Sequence, residues 1–291
     1  MASPLSPVFS SEEGLADCRV RHSIAHSITS FHQPYTTLLD DAGDPVTYDI
    51  PSFEVDPSSF RTLRNFRSLD TDSDLMGIIS DIVIFTSDLT KWYTDRGCKA
   101  NPLDFQKHAS LLMYRLFDWY SKTEKERAPQ DQCICLALLI FVVRVVHPQD
   151  NQYKTMTMAA VRRLREALEQ TTKSTWGKSP DALLWVVTIG SLAAQRSTDM
   201  AYFDQYCRTA FTDAGFEGEV TCEEILARMH QYPWIGTVLD QDGRVLWRRI
   251  GLVKVEPYDD LVEQFAALNT EITDDDAVGV LTSTRFFSKS T

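Results

Sequence analysis

The sequence predicts an all-α protein, a single multi-helix globular domain with an irregular N-terminal segment. Three observations predict it. From Ser73 onward apolar residues recur at three- and four-residue steps, the period that gives a helix one buried face. Helix-start and helix-stop residues punctuate these runs at short intervals. Alternating apolar and polar residues never extend to a useful length; Val245 to Val255 is the one β-like stretch, and a weak one.

Residues 1–70 read as irregular. Pro4, Pro7, Pro34, Pro45, Pro51 and Pro57 break any long helix, although Ile24 to Phe31 is helical in character. This segment is expected to be mobile, with parts that wrap onto the body. The helical domain spans residues 71–270, and residues 271–291, with Asp274-Asp275-Asp276, form a frayed acidic tail.

Within the domain, Leu75, Ile78, Ile79, Ile82, Phe85, Leu89 and Trp92 mark the first helix, which Gly97 is expected to end. Asn101-Pro102 supplies an N-cap and a first-turn proline for the second, striped by Phe105, Ala109, Leu112, Met113, Leu116 and Tyr120. The third runs from about Asp131 to Val146, where His147-Pro148 stops it. The fourth, Lys154 to Gln170, is amphipathic, with Met158, Val161, Leu164 and Leu168 predicted inward.

The fifth is "SPDALLWVVTIGSLAA", Ser179 to Ala194, with Ser179 as cap and Pro180 in the first turn. It is apolar on every side, and a helix with no polar stripe is surrounded by protein. Two readings of this stretch are open. Trp185 and its neighbours fill the core, with Gly190 admitting a close helix, or Trp185, Val186, Ile189 and Phe203 line an effector pocket. The sixth helix carries Met200, Phe203, Tyr206, Cys207, Ala210, Phe211 and Ala214 on one face and stops at Gly215. The seventh opens with Thr221 and Glu224 at capping-box spacing, buries Ile225, Leu226 and Met229, and ends at Pro233. Asp240 to Gly243 reads as a turn, with Trp234 and Trp247 covering the core. A last helix is predicted over about Tyr258 to Leu268.

Composition narrows the function classes. The 291-residue chain has a net charge of -12, so phosphate backbones repel it and nucleic acid is not an expected partner. The opening MASPLSPVFSSEEG has neither the basic nor the apolar region of a signal peptide. The run from Cys133 to Val146 falls short of a membrane span and reads as a buried core helix. The six cysteines are Cys18, Cys98, Cys133, Cys135, Cys207 and Cys222, with no CxxC among them. Cys133 and Cys135 would lie roughly 200° apart on a helix. They read as buried reduced thiols of an intracellular protein.

Candidate chemical motifs are few. Asp40, Asp41 and Asp44 match DDxxD, the magnesium-diphosphate motif of terpene cyclases, which supports an all-α enzyme as the alternative function. Gly43 and Pro45 break the helix that such carboxylates need, and no second metal-binding run follows. Asp70-Thr71-Asp72-Ser73-Asp74 starts like a calcium loop, but Leu75 stands where the loop needs glycine. A capped helix start explains these acids better. His22, His26 and His32 lack the acidic partner of a zinc helix, and His147 is expected to meet helix-end carbonyls. No GxSxG, P-loop or GxGxxG occurs, so no catalytic residue, cofactor or metal is assigned.

Several phrases, in order, resemble one family. They are Asp131 to Phe141 (DQCICLALLIF), Leu183 to Ala194 (LLWVVTIGSLAA), Tyr202-Phe203, Tyr232 to Ile235 (YPWI) and Leu239 to Trp247 (LDQDGRVLW). Together they resemble the fungal-specific transcription factor domain, the helical regulatory region that follows the zinc cluster in fungal regulators. The resemblance covers about residues 70 to 250. It departs from the family at the six-cysteine zinc cluster, since residues 1–60 hold only Cys18. The resemblance implies a nuclear regulatory domain without its own DNA-binding element, working through transcription-apparatus proteins or a small-molecule effector, and it carries over no ligand residues. A scaffold that forms a homodimer through exposed apolar helix faces is a third reading.

Overall fold

In a computed structural model, residues 57–95, 102–123, 127–146, 152–195 and 197–253 are described. Nine α-helices form among them: α1 Pro57–Arg67, α2 Ser73–Thr94, α3 Pro102–Thr123, α4 Pro129–Val146, α5 Gln152–Leu168, α6 Pro180–Ala193, α7 Met200–Asp213, α8 Cys222–Met229 and α9 Gly236–Arg249. A short 3₁₀ turn, Lys173–Trp176, joins α5 to α6, and no strand occurs among the described residues. The all-α prediction holds.

The two helices without a polar stripe form the centre. α4 packs on α3, α5 and α6, while α6 packs on α7, α5, α8 and α9. In α6 every residue from Ala182 to Ala193 is buried. α4 reaches 18 residues because it starts at Pro129 and takes in Gln130, Asp131 and Gln132. It is long and apolar enough to cross a membrane by composition alone, which corrects the shorter run read from the sequence; here the other helices bury it.

At Gly190, α7 approaches α6 closely through Phe203. A Cβ there would lie 2.4 Å from Cε1 and 2.8 Å from Cδ1 of Phe203, and 3.1 Å from Cδ2 of Leu164. The glycine thus admits an aromatic ring against the α6 backbone, as the close-approach reading expects.

Several boundaries differ from the sequence reading, each for a local reason. Residues 57–67, assigned to the irregular segment, form α1, because Ser59, Thr62 and Phe66 give it a buried side against the body. α2 ends at Thr94, with Asp95 extended, before Gly97 is reached. α8 closes at Met229 with His230 as its cap, so Pro233 lies in the following loop. Met158 is 50% exposed, because Thr157, at 0%, takes the inward position and turns Met158 away. Asp72 caps α2, accepting from the backbone N–H groups of Asp74 and Leu75, which supports the capped-start reading. Gly215, at φ 77°, stops α7 as predicted, and Thr221 with Glu224 forms the predicted capping box.

The largest correction is α9. Asp240 to Gly243 is expected as a turn and Val245 to Val255 as a weak strand; instead Asp240–Gly243 and Val245–Arg249 lie inside one helix, residues 250–253 turn away from its end, and residues 254 and 255 lie outside the described residues. Tertiary partners absorb the polar run. Asp242 pairs with Arg144 of α4, and Asp240 accepts from Trp234. Gly243 makes room for Trp247, whose Cη2 would sit 3.0 Å from an added Cβ. Trp247 is at 0% exposure and belongs to the core rather than covering it. Arg249 clamps Asp204 of α7 through its two terminal guanidinium nitrogens, so α9 is tied to α7 as well as α4. Ile24 to Phe31 and Tyr258 to Leu268 lie outside the described residues, as does the acidic tail.

A partly buried histidine and a buried aspartate oppose one another. Desolvation pulls His108 of α3 down to about 4, and Asp81 resists that shift. Burial pushes the Asp131 carboxyl up to about 6, although it accepts a hydrogen bond from the Asp72 N–H. As pH falls from about 6.5 to about 4, the unfolded chain protonates His108 and the folded chain does not, so its contribution to stability falls. As pH rises from about 4 to about 6, the unfolded chain ionises Asp131 while the folded chain keeps its proton, so that contribution falls in the opposite direction. The His108→Leu variant removes the first effect. As pH falls from about 6.5 to about 4, its stability relative to the native chain is therefore expected to rise by about 2–3 kcal/mol. Urea unfolding at both pH values measures this, and parallel curves would reject the assignment.

Candidate functional site

A cleft of about 160 Å³ opens between α1, α2 and the loop joining α8 to α9. α1 contributes Ser59 and Thr62. α2 contributes Val83, Thr86, Ser87, Thr90 and Lys91, which recur at helical spacing along one face. The loop contributes His230, Tyr232, Pro233 and Trp234.

Sequence and packing together shape its walls. The Thr86 hydroxyl donates to the Ile82 carbonyl at 2.7 Å and the Thr90 hydroxyl to the Thr86 carbonyl at 2.7 Å. Their hydrogens are thus directed back into the helix, and the remaining lone pairs make this wall an acceptor surface. On the loop side, Asp240 of α9 fixes two rings. Its Oδ1 accepts from Trp234 Nε1 at 2.7 Å and lies 3.2 Å from His230 Nε2. Trp234 also stacks on Trp247, ring centres 6.3 Å apart.

α6 holds the loop from behind. Trp185 Nε1 donates to the Pro233 carbonyl at 3.1 Å, and its ring stacks on Tyr232 at 5.9 Å. Phe66 of α1 meets both rings edge-on. Ser179, at the N-cap position of α6, makes no side-chain cap; its hydroxyl instead lies 2.9 Å from the Tyr232 hydroxyl. Burial drives the Tyr232 phenol far above its ordinary pKa, so it stays neutral and acts only through hydrogen bonds. Among these residues are three cleft hydroxyls from Ser or Thr on α2, a cation and an indole. They suit a compact polar ligand with donor groups facing α2.

The predicted pocket residues do not gather around this cleft. Trp185 stands one layer behind it. Val186 is wholly buried, and Phe203 lies against Gly190. Ile189 lines a different void of about 10 Å³, with Ile140, Phe141, Arg144, Leu192, Ala193 and Leu239. That volume is about one water at most. Hence Trp185, Val186, Ile189 and Phe203 are packing positions here, and the cleft uses residues that sequence reasoning passed over. The α2 hydroxyls were visible at helical spacing, but no sequence signal joins them to a loop some 140 residues later.

Asp40, Asp41 and Asp44 lie outside the described residues, as do His22, His26, His32, His147, Cys18 and Cys98. Cys133, Cys135, Cys207 and Cys222 are buried reduced thiols. Burial raises the thiols of Cys133 and Cys135 well above the usual value, and pushes Cys207 up to about 12, so these sulfurs are poor nucleophiles. Among the described residues, no group of three or more His, Cys, Asp or Glu is arranged to hold a metal ion. Compared with family models, curated proteins and solved structures, the chain matches none.

Proposed function

We propose that this chain is a non-enzymatic, transcription-regulator-like helical domain that responds to a small-molecule effector bound in the α1–α2 cleft. The single observation that carries the effector reading is the cleft itself: an acceptor-rich wall facing an indole that Asp240 fixes in place. At about 160 Å³ it is smaller than the ~300–1,000 Å³ of sites for drug-sized ligands, so the effector is compact. The regulatory part of the reading is supported by the ordered phrases of the fungal-specific transcription factor domain. Those phrases fall on α4, α6, α7, the α8–α9 loop and α9, the elements that build the core and the back of the cleft. A nuclear setting, with partners from the transcription apparatus, follows from the same resemblance.

Occupancy of the cleft would act on the body through its back wall. A ligand against Trp234 and Tyr232 bears on Trp185 and Asp240, and through them on α6 and α9. Native mass spectrometry of the purified full chain is expected to show a retained small molecule. The Ser87→Trp variant, which fills the cleft from its partly exposed α2 wall, is expected to lose it. A native chain that carries no small molecule, and whose melting temperature is unmoved by a panel of compact polar metabolites, sinks the reading.

A further inference from the structure

The outward side of α1 combines unpaired positive charge with an exposed aromatic ring. Arg61, Arg64 and Arg67 recur at three-residue steps, and Phe60 falls between Arg64 and Arg67 around the helix. All three arginines are exposed, and Phe60 is 63% exposed. Several arginines elsewhere are engaged: Arg115 with Asp81, Arg127 with Asp72, Arg144 with Asp242, Arg228 with Asp181 and Arg249 with Asp204. Arg61, Arg64 and Arg67 have no ion pair or side-chain hydrogen bond among the described residues, in a chain whose net charge is -12. Arg64 and Arg67 complement the negative end of the α1 dipole, but Arg61 and Phe60 have no such role.

The same chain contains a segment of complementary chemistry. Residues 256–276 hold eight Asp and Glu and no Lys or Arg, interspersed with Tyr258, Leu261, Phe265 and Leu268. We propose that this C-terminal segment docks on the α1 face of its own chain, its carboxylates on Arg61, Arg64 and Arg67 and an apolar side chain over Phe60. Reach is ample. The 23 residues from Lys254 to Asp276 span up to about 75 Å when extended, against a radius of gyration of roughly 17 Å for a body of this size. Exposed ion pairs are weak one by one. Tethering raises the effective concentration of the segment to the order of millimolar, which lets several weak pairs act together. A nucleic acid suits this face less well, because the rest of the chain repels phosphate and Phe60 needs an apolar cover. Since α1 also supplies Ser59 and Thr62 to the cleft, the docked segment would lie on the outer side of one cleft wall.

Hydrogen–deuterium exchange of the full chain tests this. At about 20 mM salt the amides of residues 256–276 are expected to exchange several-fold more slowly than at about 500 mM, where the charges are screened. The R61E/R64E/R67E variant is expected to abolish that difference, with a melting temperature lowered only slightly by the reversed charges at the α1 C-terminus. Because that variant also alters the body, a second one neutralises only the segment: Asp259→Asn, Asp260→Asn and Glu263→Gln should give the same loss. Equal exchange at both salts in the native chain overturns the proposal. So does protection that grows with protein concentration, which assigns the contact to a second copy. Salt-sensitive binding of duplex DNA to the α1 arginines, with residues 256–276 unprotected, overturns it as well. None of these readouts depends on whether the cleft binds an effector.

Discussion

Replacing Trp185 by alanine is expected to destabilise the protein by about 3–5 kcal/mol, the range for removing a fully buried large aromatic. The indole is at 0% exposure and packs on Phe66 and Tyr232. Its loss removes the ring contacts and leaves a cavity between α6, α1 and the α8–α9 loop. It also leaves the Pro233 carbonyl without its donor. Trp185→Phe separates the two effects. It keeps an aromatic ring but leaves that carbonyl unsatisfied, which costs about 1–3 kcal/mol. Both variants are measured by urea unfolding followed by circular dichroism. An alanine variant within about 1 kcal/mol of the native chain would show that Trp185 is not a core anchor. The same variant releases the loop that bears Tyr232, Pro233 and Trp234, so it should also weaken any ligand retained in the cleft.

Gly190→Ala carries the second large effect, with the opposite steric sign. The added methyl carbon would meet the Phe203 ring at 2.4 Å, far inside van der Waals contact. Phe203 cannot retreat freely. It is fully buried and meets Tyr202 edge-on at 5.4 Å. Overpacking of this kind costs about 1–3 kcal/mol. If the clash with Phe203 is the cause, trimming that ring should relieve it. The double variant Gly190→Ala with Phe203→Leu is therefore expected to cost less than the sum of the two single variants, with a coupling on the order of 1 kcal/mol. Strict additivity would place the strain elsewhere, for example at Leu164, 3.1 Å from the same methyl position.

These two residues show how much could be read in advance. The all-round apolarity of α6 forces burial whatever the partner, so Trp185 was legible as interior, and so was Gly190 as a point of close approach. Which ring would enter beside Gly190 was not legible, because nothing local ties it to Phe203. The error over Asp240 to Gly243 has the same origin. Two aspartates and a glycine disfavour a helix locally, and the compensation comes from Trp234, Arg144 and Trp247. Trp176, fully buried in a four-residue 3₁₀ turn, gave no periodic signal at all.

The candidate site was the least legible part. Ser59 and Thr62, Thr86 to Lys91, and His230 to Trp234 come from three separate stretches of chain. Within α2 the hydroxyl residues looked like ordinary variation along a partly buried helix. The pocket expected around Trp185, Val186, Ile189 and Phe203 instead became packed interior, with only a small void beside Ile189.

Sequence alone determined the helical class, most helix starts, the capping box at Thr221 and the burial of α4 and α6. All of these depend on residues within a few positions of one another, where spacing and backbone preference act directly. Tertiary structure alone decided that α9 runs through Asp240–Gly243 and that Trp185 supports a loop rather than a ligand. It also decided that the cleft lies between α1 and α2. Those outcomes depend on partners far apart in the chain, whose meeting is set by how the helices pack and by which buried polar groups find each other.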